Sequence, residues 1–366
     1  MNPGHRLRYP RSLRGAVGAT LIVVLALALP TAMPAASLAK GKGHALYWGA
    51  QIGTQITGTQ APFDMRPVTG FERLAGKPLS LVQFSTPFAD CTVSPCTYYQ
   101  FPAPAMENAR RYGAIPILNW ASSSSPARLN DSEFQLSDLI SGRLDGYLRA
   151  FAIEAKRWGH PYFLRFNWEM NGFWFPWSEG VNGNRTGEFV AAWRHVHEIF
   201  TSVGATNATW VWCPNVNIYG ELAKLRPLYP GGRYVDWTCL DGFNWGKRPG
   251  SPGWLSFNQI YHSTYHEIVK KIAPGKPMMI GEIASSDKGG SKAAWIKNML
   301  HTVRTRYRKV RALVWMDIND RGTHWPIETS SQRAQNAFRK GIRSRAFVPN
   351  LFAGLTQSPI LPPARR

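Results

Sequence analysis

The residues best suited to chemistry are two glutamates in apolar surroundings. Glu169 closes a run inside Arg165-Phe-Asn-Trp-Glu-Met-Asn-Gly-Phe-Trp-Phe-Pro-Trp177, and Glu282 lies in Pro277-Met-Met-Ile-Gly-Glu-Ile-Ala-Ser-Ser286. A carboxyl in a poorly solvated pocket has its pKa raised and holds its proton near neutrality, which suits it to protonate a glycosidic oxygen. Flat indole faces match the C–H faces of pyranose rings, so Trp174, Trp177, Trp245 and Trp315 are candidate sugar platforms. Each is equally well explained as core, because Trp is highly buried on average. Asn171 and Asn244 are candidate contacts to sugar hydroxyls, or caps on local backbone. Two carboxylates flanking one bond are the minimal apparatus of glycoside hydrolysis.

These side chains need elements that bring them together. Short apolar runs that read as buried strands recur at His44–Ala50, Leu79–Ser85, Ala114–Ala121, Pro161–Glu169, Ala208–Pro214, Cys239–Trp245, Pro277–Glu282 and Arg311–Asp317. Their starts are about 30 to 50 residues apart, which leaves room for a crossover helix in each gap, as parallel βαβ units require. Leu144, Tyr147, Leu148, Phe151, Ala155 and Trp158 follow the helical period, as do Phe189, Trp193, Val196 and Phe200. Eight such units predict an α/β fold, a single (β/α)8 TIM barrel; an open doubly wound sheet is the rival. In a barrel, function collects at the carboxyl ends of the strands. Glu169 is expected at the end of the fourth and Glu282 at the end of the seventh, facing each other across the mouth. Arg165 shares the alternation of Glu169, so it should point inward and hydrogen-bond the site carboxylates, or else form a plain structural ion pair.

The ends of the chain read differently from its middle. Arg6, Arg8, Arg11 and Arg14 precede an apolar run from Ala16 to Leu29, then Pro30 and Ser37-Leu38-Ala39. That is the layout of a secretory signal peptide over residues 1–39, cleaved after Ala39, and it predicts a secreted protein. The apolar run is shorter than the ~20 residues of a spanning helix. Residues 40–345 form the expected catalytic domain, and the Pro-rich segment 346–366 is expected to be disordered. Export permits disulfides, and Cys91 and Cys96 should bridge a loop containing Pro95, whereas Cys213 and Cys239 read as buried free thiols. No zinc spacing is present, and neither a metal nor an organic cofactor is expected.

Net charge is +21, or +17 once the four arginines of the leader are set aside. Thirteen Lys or Arg lie between Lys292 and Arg345, against Asp317, Asp320 and Glu328. Most fall in predicted helices, so a solvated basic face is expected, one suited to an anionic cell envelope. Without a Gly-rich phosphate loop or a zinc finger, nucleic acid is an improbable partner. The protein is read as a monomer with a polysaccharide substrate.

The blocks around both glutamates resemble glycoside hydrolase family 26, the β-mannanase family within the large clan of (β/α)8 retaining glycosidases. Supporting similarity runs through Ile140–Asp145, Ala192–Val196, Thr209–Asn215, Asp241–Trp245 and Trp325–Ser330. The resemblance implies that Glu169 is the general acid/base and Glu282 the nucleophile, with β-1,4-mannan as substrate. A β-1,3- or mixed-linkage glucanase, a β-1,3-xylanase, or a non-catalytic polysaccharide-binding barrel is the alternative. Two positions depart from the family pattern: Trp168 stands where His is common, and Phe243 where a Tyr is common. Both departures alter the sugar-binding subsite.

Overall fold

The computed structural model describes residues 44–364 apart from Tyr219, Glu221, Asp320 and Arg321. The expected signal peptide and its cleavage point lie outside the described residues. Among the described residues nine strands are present: β1 (Tyr47–Ile52), β2 (Leu81–Asp90), β3 (Thr97–Tyr98), β4 (Ile115–Ser125), β5 (Tyr162–Phe166), β6 (Ala208–Trp212), β7 (Trp237–Asn244), β8 (Met278–Ser285) and β9 (Val310–Asp317). Eight pair in parallel in the order β1, β2, β4, β5, β6, β7, β8, β9, and β9 closes back on β1. The short β3 pairs antiparallel to the end of β2. The helices are α1 (Arg66–Ala75), α2 (Ala103–Tyr112), α3 (Leu136–Ile140), α4 (Asp145–Trp158), α5 (Glu188–Val203), α6 (Phe257–Glu267), α7 (Lys292–Thr305) and α8 (Gln332–Ile342). The result is a (β/α)8 barrel.

The barrel strands are buried on both faces, which is why they read as continuous apolar runs rather than alternating ones. One cluster fills the barrel, with Tyr47, Leu81, Ile117, Phe163, Val211 and Val314 pointing inward. A larger cluster lies between strands and helices, where α4 buries Leu148, Phe151 and Ala155 and α5 buries Phe189, Trp193 and Val196. Among the described residues no helix is long and apolar enough to cross a membrane.

Three expectations need correction. Strand β5 stops at Phe166, so Glu169 lies three residues beyond it, in a turn where Asn167 (φ 44°) and Glu169 (φ 53°) are both left-handed. Glu282 sits inside β8 rather than at its end. Cys213 and Cys239 are not free thiols but a disulfide, because the β6–β7 register sets them side by side with both side chains inside the barrel. The other two cysteines, Cys91 and Cys96, are bonded in the loop between β2 and β3.

Residues 346–364 are ordered, contrary to the expectation of disorder. Phe347, Val348 and Ile360 are buried, and the backbone of Leu46 bonds both Ala346 and Val348. Trp237 Nε1 donates to Ile360 O at 2.7 Å, and Ile360 N donates to Thr209 Oγ1 at 2.9 Å. The inward apolar side chains at the amino ends of the strands need a cover, and this strap supplies it. Prolines with preset φ lower the entropy lost in holding it extended.

Candidate active site

Arg165 on β5 points into the barrel and is fully buried. Its Nη1 donates to Asn119 Oδ1 on β4 and to Glu282 Oε1, each at 3.1 Å, and its Nη2 donates to the Asp241 carboxylate on β7. A buried guanidinium is tolerable only with such partners, and their fixed directions hold Glu282 in one orientation. Burial pushes the Asp241 carboxyl up, and Arg165 pulls it back. Gly281 is required beside this cluster. A Cβ there would lie 2.6 Å from Cys239 Sγ, 2.9 Å from Asp241 Oδ1 and 3.0 Å from Arg165 Cζ.

Glu169 reaches the same space from the turn after β5. Its backbone N donates to Cys213 O at 2.7 Å, which anchors the left-handed turn against β6. Trp174 Nε1 donates to Glu169 Oε2 at 2.7 Å, and Asn215 Nδ2 donates to Oε1 at 2.6 Å. Burial pushes the Glu169 carboxyl up to about 7, and the charge of Glu282 adds to the rise; the Trp174 and Asn215 hydrogen bonds and Arg165 oppose it. Carboxylate oxygens of Glu169, Asp241 and Glu282 lie within 4.8 Å of one another. Such a triad resembles a cation site in outline, but Arg165 already stands between Asp241 and Glu282.

Above the carboxylates opens a cleft of about 1040 Å³. Trp168, Phe173, Trp174, Phe175, Phe243, Trp245 and Trp325 give it aromatic walls. Phe243 stacks on Trp325 with centroids 4.4 Å apart and planes 6° from parallel. Trp177 lies behind the wall, nearly buried, stacked on Phe175 at 4.3 Å and donating from Nε1 to Trp168 O. It shapes the cleft without facing it.

Trp315 is not in the cleft. It is 1% exposed and packs on Phe338 of α8, so of its two readings the core one holds, while its neighbour Met316 lines the cleft. Neither asparagine meets the cleft either. Asn171 brackets the backbone of Asn215, accepting from its N at 2.8 Å and donating to its O at 3.0 Å. Asn244 donates to Ser285 Oγ and accepts from Leu255 N.

Sequence reasoning gave no role to Asn119, Asn215, Asp241, Arg248 or Phe173. A signal existed for Asp241, a charge inside the apolar run Cys239-Leu-Asp-Gly-Phe243, since a buried charge needs a partner. Asn215 follows the end of a predicted strand, where function gathers in barrels.

A closed barrel of eight parallel strands with acidic side chains gathered under an aromatic cleft at its carboxyl end defines the class of barrel glycosidases in outline. The chain belongs to Glycosyl hydrolase family 26, whose description matches residues 107–315, more than half of its length. It is 32% identical over 317 residues to Endoglucanase H of Acetivibrio thermocellus, covering 85% of this chain; the chain spans 32% of the length of that relative. Among solved structures it superposes on the catalytic domain of an endo-β-1,4-mannanase from Bacillus sp. JAMB-750 with a TM-score of 0.61 at 15% identity, covering 84% of this chain and 90% of that one. A β-mannanase from Bacteroides ovatus matches with a TM-score of 0.57 at 14% identity, covering 85% and 93%. At such identities these two likenesses speak for the fold.

Proposed function

We propose that the protein is a secreted retaining endo-β-glycanase in which Glu169 is the general acid/base and Glu282 the nucleophile. The observation that carries this reading is the pair itself: two carboxyls with oxygens within 4.8 Å, one raised toward neutrality and the other tied to a buried arginine. Retaining glycosidases need separations near ~5 Å, whereas inverting ones leave ~6.5–9.5 Å for a water. Glu282 attacks the anomeric carbon while Glu169 gives its proton to the leaving oxygen. Esterified Glu282 carries no charge, so the repulsion that raised the pKa of Glu169 disappears. Glu169 is then a carboxylate able to take a proton from the water that releases the sugar. A polymeric substrate and two disulfides both accord with export.

A β-linked glucan, mixed linkage included, is the favoured substrate. The support is the 32% identity to an endoglucanase, against 14% and 15% for the two mannanases, together with Trp168 and Phe243 in place of the family's polar residues. Fold likeness to mannanases keeps β-1,4-mannan as the second reading. The test is to incubate the protein without residues 1–39 with mixed-linkage glucan, β-1,3-glucan, mannan, glucomannan and β-1,3-xylan, following product size by chromatography and the first-formed anomer by NMR. Early β-anomers and a spread of oligosaccharides from a glucan are expected. Initial α-anomers would refute retention, and absence of cleavage by folded protein would refute the hydrolase.

A further inference from the structure

Arg248 enters the cleft from the loop after β7, and among the described residues it is the one cation on the cleft wall. It is half-buried, with its guanidinium carbon 4.6 Å from the centroid of the Trp245 ring. That indole is held in turn by Trp325 at 4.7 Å and Phe243 at 5.5 Å. The ion pairs among the described residues leave Arg248 out. Its loop is nevertheless fastened. Ser251 N donates to Arg248 O at 3.1 Å, Ser251 Oγ lies 2.7 Å from that same oxygen, and Lys247 N donates to Lys288 O at 3.1 Å.

A guanidinium held over a ring keeps its N–H donors available, and its planar fork fits a carboxylate with two parallel hydrogen bonds. Neutral hydroxyls would accept those hydrogens but would not neutralise the charge. The same cleft holds the Glu282 carboxylate, which repels an acidic sugar, and a cation on the wall offsets that repulsion. The charge of +17 that remains without the four leader arginines acts in the same sense at long range, drawing polyanions toward the molecule.

We propose that the cleft accepts an acidic β-glycan, with the carboxylate of a uronate residue seated on Arg248 beside Trp245. This rests on the hydrolase reading above but is tested by binding, apart from turnover. In a Glu282→Ala background, calorimetry would compare a neutral β-1,4-gluco-oligosaccharide with one of equal length containing glucuronate. The acidic ligand is expected to bind about tenfold tighter at low salt, an advantage that Arg248→Gln removes and Arg248→Lys restores in part. Equal or weaker binding of the acidic ligand would overturn the proposal. So would a preference that survives Arg248→Gln, which would belong to the general positive field. Circular dichroism of each variant separates loss of binding from loss of fold. Absence of glucan hydrolysis by the unmutated protein would count against the enzyme alone, since the calorimetric comparison still decides the uronate site.

Discussion

At the scale of single residues, the proton inventory of the site hangs on two donors to Glu169. Trp174 and Asn215 stabilise its ionised form, so removing either must raise its pKa further above about 7. Trp174→Phe keeps a ring in the cleft and deletes only the N–H-bearing part of the indole. The alkaline limb of kcat/KM, where Glu169 loses its proton, is therefore expected to move up by about one pH unit, and Asn215→Ala to move it the same way. A pH–rate profile for each variant checks the sign; a downward or absent shift would show that another group sets the limb. Both glutamates were legible because acids inside apolar runs are conspicuous. Asn215 was not, since a neutral amide looks the same whether it touches a carboxylate or caps a turn. Trp315 stayed open in the sequence between platform and core, because side chains alternate along a strand and a shift of one residue reverses every direction.

At the scale of elements, β8 does two things at once, carrying Glu282 toward the cleft and giving way to the cluster packed against it. Gly281 makes this possible. In Gly281→Ala the new methyl meets a disulfide sulfur, a carboxylate oxygen and the guanidinium carbon, none of them the loose end of an exposed chain. Overpacking of this kind costs about 1–3 kcal/mol, and relief by pushing β8 outward would also displace Glu282. The expected outcome is a lower urea midpoint together with a fall in kcat larger than the rise in KM; unchanged kcat would mean that Arg165 and Asp241 accommodate the methyl without moving the nucleophile. The eight strands were readable from their apolar runs and spacing. The end of β5 was not, because Arg165-Phe-Asn-Trp-Glu169 continues the apolar pattern of the strand while Asn167 and Glu169 turn left-handed. Asn tolerates that region more readily than other non-glycine residues, but Glu gives no such hint.

At the scale of the whole molecule, the barrel has a working end and a closed end, and the segment after Arg345 closes the second. Composition alone assigns this segment to disorder, because prolines are frequent and apolar residues sparse. It is held instead by individual contacts that composition does not record: Ile360 inside the apolar cluster, its carbonyl on Trp237, its amide on Thr209, and Leu361 O accepting from Tyr47 OH at 2.9 Å. All three partner residues, Tyr47, Thr209 and Trp237, are the first or second residue of a strand, remote from the carboxyl-end cleft. Deleting residues 356–366 should therefore separate stability from chemistry. Burial of one isoleucine is worth about 1.5–3 kcal/mol, and the three lost hydrogen bonds add roughly 1 kcal/mol each, so Tm should fall by several degrees. At 25 °C, well below the transition, kcat on the preferred polymer should stay within about twofold of the full chain, because no side chain in the cleft is touched. An unaltered Tm would restore the reading of a disordered tail. A parallel loss of kcat and Tm would instead mean that the strap holds the barrel in the shape that sets the separation of Glu169 and Glu282.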